Sequence, residues 1–171
     1  MFVRKLVVAL AFALILSTAP QIALAGTFTY AYAVTGRELF ATPTLGVFAG
    51  TATGLQAGSW FAYIGHMPLS TTPPVLITGG SFSLATTTIS GSAVTVSGTF
   101  SRGTVKPGLP GTNCTNQTYD VLGTLAQVGV GGGTGTGTFS AILTHYRLLL
   151  WGRYCVTYKA TVTDGTVVLI F

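Results

Sequence analysis

Charged side chains are scarce in this chain of 171 residues, where Asp, Glu, Lys and Arg together make up only 6%. Coiled coils, helical bundles and charge-rich disordered tails need many such side chains, so the composition excludes these classes. The chain holds only three carboxylates, which leaves little material for paired acid–base catalysis. It consists instead of hydrophobic residues, at 49%, with 23 glycines and many Thr and Ser.

Sequence signatures of enzymes and of metal or nucleotide sites are also lacking. The chain has no G-x-S-x-G elbow, no H-E-x-x-H pair and no dinucleotide fingerprint, and its two cysteines and two histidines do not have zinc-site spacing. We therefore expect no metal and no cofactor, and the sequence weighs against an enzyme. The remaining catalytic hypothesis is an isomerase- or hydrolase-like step, with His145 as acid–base and Arg147 as oxyanion partner.

Residues 1–25 have the pattern of a secretory signal peptide. A basic start and an apolar run over residues 6–16 precede the small-x-small sequence Ala23-Leu24-Ala25. The run is shorter than the roughly 20 residues of a spanning helix, so we expect no transmembrane helix in the mature protein. The sequence thus predicts one domain, residues 26–171, that is secreted, periplasmic or part of the cell envelope.

The predicted export places the two cysteines, Cys114 and Cys155, in an oxidising compartment. Outside the cytoplasm an isolated pair in a small domain is usually a disulfide, and we expect one here. Closing a loop of about 40 residues stabilises a fold by about 4 kcal/mol in the chain-entropy model. A thiol nucleophile or a metal ligand is the alternative.

The charge of the mature domain is small and dispersed. Two of the eight cations lie in the leader, so the net charge falls from +5 to +3. No run of basic residues remains that could neutralise a series of phosphates, and we expect no nucleic-acid partner.

Hydrophobic residues alternate with small or polar ones along almost the whole mature chain, as in Phe28, Tyr30, Tyr32 and Val34. A first strand here and further strands are predicted near residues 46–55, 59–67, 75–86, 93–102, 118–128, 135–150, 153–163 and 165–171. Asp164-Gly165 is the strongest two-residue hairpin signal. We predict an all-β fold, a single small antiparallel barrel of about eight or nine strands, because closure removes edges that few charges could protect. A two-sheet β-sandwich is the alternative.

A short sequence motif, Gly-Thr/Ser-Phe-Thr/Ser, which we call the recurring Gly-Thr/Ser-Phe phrase, begins at Gly26, Gly80, Gly98 and Gly137 without a fixed period. Each Phe could fill a core layer, with the glycine allowing a bend or a close backbone approach. Chance enrichment in a chain rich in Gly, Thr and Ser is the alternative.

The segment from Gly135 to Trp151 is the best candidate for a binding site. Strand alternation places the His145 imidazole and the Arg147 guanidinium on its aromatic face. A buried Arg needs an anionic partner, which Glu38, Asp120 or a ligand would supply. The predicted ligand is a small apolar molecule with an anionic or carbonyl end. The predicted ligand-binding residues are Tyr30, Tyr32, Phe139, Leu143, His145, Arg147 and Trp151. The alternative is that a bulge or the strand end leaves the His and Arg side chains in solvent.

The leading functional hypothesis is an exported non-enzymatic barrel that binds this ligand or serves as a surface or envelope component. Alternatives are the enzyme centred on His145, a structural adhesin or matrix subunit that self-associates, and an outer-membrane barrel. For the last, Val167, Leu169 and Phe171 are expected to alternate outward as such barrels end.

Overall fold

A computed structural model of the protein describes residues 27–69, 73–108 and 114–171. The predicted signal peptide lies outside these residues. No helix in the described part of the chain is long and apolar enough to cross a membrane. The strands are β1 (Thr29–Thr42), β2 (Leu45–Thr53), β3 (Gly58–His66), β4 (Val75–Thr87), β5 (Ala93–Pro107), β6 (Gln117–Val130), β7 (Gly135–Leu150) and β8 (Tyr154–Ile170).

The eight strands form one closed barrel in which each strand pairs antiparallel with the next and β8 returns to β1. This confirms the predicted all-β antiparallel barrel, and the sandwich alternative is wrong. Closure pairs the first and last strands from Thr29↔Ile170 to Arg37↔Thr161. The fold therefore removes the free edges that a chain with so few charges could not protect.

The predicted hairpin at Asp164-Gly165 is wrong, because β8 runs through these residues without a turn. The pairing of β8 with both neighbours shifts register here, so the pair forms a β-bulge. Asp164 has a positive φ of 49°, and a Cβ on Gly165 would collide with Val34 of β1. The conformational freedom that makes Asp-Gly a turn former serves here to bend one long strand around the barrel.

An aromatic layer fills the middle of the barrel. Phe139 lies at its centre, with ring centroids 5.7 Å from Trp60, 6.3 Å from Phe82 and 5.9 Å from Phe100. Three of these rings belong to the recurring Gly-Thr/Ser-Phe phrase, which explains the phrase as a core motif. The fourth copy differs, because Phe28 is 61% exposed at the barrel rim.

The closed meander gives the barrel two distinct ends. At the end that we call the terminal end lie the start of β1, the end of β8 and the β2–β3, β4–β5 and β6–β7 connections. The other four connections lie at the opposite end, the disulfide end. There the Cys114–Cys155 disulfide joins the β5–β6 connection to β8, which confirms the predicted bond.

Hydroxyl side chains cover much of the outer wall. The outward positions Thr95, Ser97, Thr99 and Ser101 on β5, and Thr136, Thr138, Ser140 and Thr144 on β7, illustrate this. The predicted outward alternation near the C-terminus is wrong, since Val167 and Leu169 are fully buried inside the barrel. The β-bulge at Asp164-Gly165 sets the register that turns them inward.

Candidate functional site

An open cup of about 750 Å³ occupies the terminal end of the barrel, above the aromatic layer. Inward side chains from the strand ends and side chains from the turns form its wall. The lining residues are Phe28, Tyr30, Tyr32, Leu55, Gln56, Thr86, Thr87, Thr88, Ile89, Ser90, Val94, Val96, Val130, Leu169 and Phe171. This volume lies within the roughly 300–1,000 Å³ that is usual for small-molecule sites.

Strand alternation on β1 and β8 builds one side of the cup. Tyr30, Tyr32 and Leu169 face inward, and Tyr32 and Leu169 are buried. The Tyr30 ring meets the Phe171 ring edge-on at a centroid distance of 5.8 Å. Backbone hydrogen bonds of 3.1 and 3.0 Å join Phe28 to Phe171 in both directions. These contacts hold the first and last strands together at the rim.

The polar groups of the cup are neutral. None of its lining residues is Asp, Glu, Lys, Arg or His, and the polar residues among them are Tyr, Gln, Thr and Ser. Burial raises the pKa of Tyr32 above its usual 10.0, and the neighbouring Tyr30 raises it further. The Tyr32 hydroxyl therefore stays protonated at neutral pH, where it can donate a hydrogen bond to a carbonyl or hydroxyl oxygen.

A second, much smaller cavity of about 90 Å³ lies at the disulfide end, with room for about three water molecules. Its lining includes Glu38, His66, Tyr119 and His145 among apolar side chains. Nδ1 of His66 donates a hydrogen bond of 2.7 Å to the Met67 carbonyl, which satisfies one nitrogen of this buried ring. The two histidines thus line the same cavity.

Glu38 is the carboxylate that meets the imidazole. Its Oε2 lies 3.1 Å from Nε2 of His145, and both side chains are largely buried. This distance makes an ion pair when the ring is protonated, but the contact lacks hydrogen-bond geometry, so Nε2 has no hydrogen-bond partner within the described residues. Asp120, the other predicted partner, is exposed on the outer wall, where it lies opposite Lys106 in the β5–β6 pairing.

Tyr119 connects this pair to Arg147. The Tyr119 ring lies edge-on to the His145 ring at 5.1 Å. Burial raises the pKa of Tyr119 above 10.0, the positive charge of Arg147 lowers it, and the negative charge of Glu38 raises it. Arg147 is half-buried and is not among the described residues that line the small cavity.

The structure separates the residues that the sequence grouped into one site. Tyr30 and Tyr32 line the cup, Phe139 lies in the filled layer, and Leu143 and His145 line the small cavity at the opposite end. The expectation that Trp151 shares their strand face is wrong: it lies in the β7–β8 turn with a positive φ of 50° and is 84% exposed. Alternation on β7 stops before this residue because the chain reverses there.

Sequence reasoning missed most of the cup. Leu55, Ile89, Val94, Val130 and Phe171 come from turns or strand ends that are far apart along the chain. A signal was present: in an up-and-down meander, every second connection lies at the same end as both termini. Apolar residues in those connections could therefore have been assigned to one rim.

Comparison of the chain with protein-family models, curated proteins and solved structures finds no match. Within residues 27–69, 73–108 and 114–171, no group of three or more His, Cys, Asp or Glu side chains is placed to hold a metal ion.

Proposed function

We propose that this protein is an exported, non-enzymatic barrel that binds a small apolar molecule in the cup at the terminal end. The observation that carries this proposal is an apolar cup of about 750 Å³ that stays open while the middle of the same barrel is filled. Burying an apolar ligand against such a wall stabilises a complex by about 25 cal/mol per Å² of apolar surface removed from water. The disulfide supports export, because such bonds persist in oxidising compartments.

The neutral lining narrows the chemistry of the ligand. Its polar end would meet the Tyr32 hydroxyl, which suits a carbonyl or hydroxyl group. The Thr86 hydroxyl already donates to the Ala57 carbonyl, so toward a ligand it can only accept. An anionic end would find no cationic side chain among the lining residues. We therefore retain the carbonyl form of the predicted ligand and assign it to the cup rather than to His145 and Arg147.

Binding of a neutral solvatochromic dye such as Nile red to the purified mature protein tests this function. Val94→Trp fills the cup from its β5 wall and is expected to weaken dye binding about tenfold or more. Val168→Trp is the matched control, because it puts the same side chain on the outer wall near the same end. His145→Ala, at the other end, should leave dye affinity unchanged.

The outcomes separate the two ends of the barrel. Absence of saturable dye binding, or equal losses for Val94→Trp and Val168→Trp, would contradict the cup. A loss that follows His145→Ala alone would assign the ligand to the disulfide end.

The other hypotheses receive less support from the geometry. A cavity of about 90 Å³ that Arg147 does not line leaves little room for the substrate of an enzyme centred on His145. Exposed Thr and Ser side chains interrupt the apolar ones on the outer wall, such as Phe61, Leu76 and Leu122, which fits water better than the apolar band of an outer-membrane barrel. A closed sheet offers fewer strand edges for the self-association expected of an adhesin or matrix subunit.

A further inference from the structure

The β7–β8 hairpin extends beyond the barrel at the disulfide end. Pairing of β6 with β7 ends at Gln117↔His145, and pairing of β1 with β8 ends at Arg37↔Thr161. Past these points β7 and β8 pair only with each other, as far as Leu150↔Tyr154. We call residues 146–159 the projecting ribbon. Its β8 half is exposed on both faces from Tyr154 to Lys159, so no core covers it.

The side chains of the projecting ribbon differ sharply from those of the wall below it. The outward face of β7 carries mainly hydroxyls up to Thr144, and then carries Tyr146, Leu148 and Leu150. Across the ribbon Leu148 lies opposite Val156 and Leu150 lies opposite Tyr154. The barrel wall exposes apolar side chains such as Phe61, Leu76 and Leu122 among hydroxyls, whereas the outward face of β7 in the ribbon carries no hydroxyl of Ser or Thr.

Aromatic side chains form the tip of the ribbon. Trp151 is 84% exposed, and its ring lies edge-on to Tyr154, which is itself 61% exposed, at a centroid distance of 6.3 Å. Trp and Tyr side chains are favoured at the boundary between water and lipid, because their rings are apolar and their N–H or O–H groups stay hydrated.

The charges of the projecting ribbon all have one sign. It carries Arg147, Arg153 and Lys159, and the chain has no acidic residue between Asp120 and Asp164. Lys159 and Arg153 are exposed, and the Lys159 ammonium lies 5.3 Å from the centre of the Tyr146 ring. Cations beside exposed aromatic rings match a surface that is apolar inside and negatively charged at its headgroups.

We propose that the projecting ribbon docks the protein onto an anionic lipid surface. Trp151, Tyr154 and Leu148 enter the interfacial layer, while Arg153 and Lys159 contact the negatively charged headgroups. The disulfide at Cys155 ties the ribbon to the β5–β6 connection and limits its bending. This inference does not depend on the cup, which opens at the opposite end of the barrel.

The two tryptophans make the test specific. Trp60 is 2% exposed and donates a hydrogen bond of 2.9 Å to the Thr35 carbonyl, so its emission should not respond to lipid. Titration of the oxidised mature protein with phosphatidylcholine vesicles containing about one-third phosphatidylglycerol should shift Trp151 emission to the blue. The shift should be absent in Trp151→Phe, which keeps an aromatic ring.

Vesicle co-sedimentation measures the contribution of each surface. Lys159→Gln and Arg153→Gln should each weaken binding about fivefold at low salt, and the difference should shrink in high salt. Leu148→Ser should weaken binding, whereas Leu122→Ser, a matched change at an exposed position on the barrel wall, should not. Thermal melting of each variant verifies that it is folded.

Two results would overturn lipid docking by the ribbon, and a third would refute the role of its cations. One is the absence of both sedimentation and emission shift with anionic vesicles. The other is lipid-free dimerisation that Leu148→Ser abolishes, which would assign the ribbon to a second copy of the chain. Stronger binding to neutral than to anionic vesicles would likewise refute the role of Arg153 and Lys159.

Discussion

Truncation of Phe139 tests the filled middle of the barrel, which separates this structure from a barrel with one continuous cavity. The side chain is 3% exposed and contacts the rings of Trp60, Phe82 and Phe100. Phe→Ala changes in well-packed cores cost about 3–5 kcal/mol, as lost transfer free energy and the energy of the cavity left behind. We expect Phe139→Ala to fall in this range, which for a domain of this size lowers Tm by roughly 10–16 °C.

Urea denaturation followed by the fluorescence of Trp60 measures this loss in free energy of unfolding. The probe is suitable because its ring centroid lies 5.7 Å from that of Phe139. Phe139→Leu is the matched control, and we expect a smaller loss because it removes less volume. Dye binding to the cup should persist in both variants at urea concentrations where they remain folded.

A loss below about 1 kcal/mol for Phe139→Ala would refute this reasoning, because it would mean that the side chain borders open space rather than packed rings. Reduced dye affinity in a stable Phe139→Leu variant would instead indicate that Phe139 contacts the ligand, as the sequence predicted.

Three further predictions concern the bond, the backbone and the ionisation of the barrel. Changing both Cys114 and Cys155 to Ser should lower the free energy of unfolding by about 4 kcal/mol, measured by urea denaturation against the oxidised parent. Gly80→Ala should lower the Tm of the protein by more than Gly131→Ala. A Cβ at Gly80 collides with a β3 carbonyl, whereas one at Gly131 meets no atom within 4 Å. Equal Tm losses would contradict this prediction. Since burial raises the pKa of Tyr32 above 10.0, the unfolded chain loses this proton first, and stability should fall as pH rises through about 10. Tyr32→Phe should flatten that fall in a pH series of thermal melts.

Much of the fold could be predicted from alternation alone. A period of two over most of residues 26–171, with few charges to protect strand edges, favoured a closed antiparallel sheet, and the barrel is closed. The disulfide followed from two cysteines and a predicted leader. The error at Asp164-Gly165 has a physical cause: a residue pair that tolerates positive φ suits both a two-residue turn and a bulge. Only the strands on either side decide between them.

The candidate site could be predicted only in part. Glu38 was one of two carboxylates expected as the partner of Arg147 on the face that it shares with His145. In the structure its Oε2 lies 3.1 Å from Nε2 of His145 instead. Tyr30 and His145 do not share a site, because the central aromatic layer lies between the two ends of the barrel. Alternation along a single strand does not specify how high a side chain lies along the barrel axis. Trp151 was assigned to a strand face because the position of the β7–β8 turn was unknown.

Residue order by itself determined that side chains alternate between two faces along each strand, because successive residues of a strand project to opposite faces of the sheet. It also determined that the domain is β-structured and carries few charges. Only the tertiary structure decided which inward side chains share a level of the barrel, since strand register, bulges and closure set those heights together. As a result, aromatic rings fill the middle of the barrel, an open cup lies at one end, and a cationic aromatic ribbon extends from the other end.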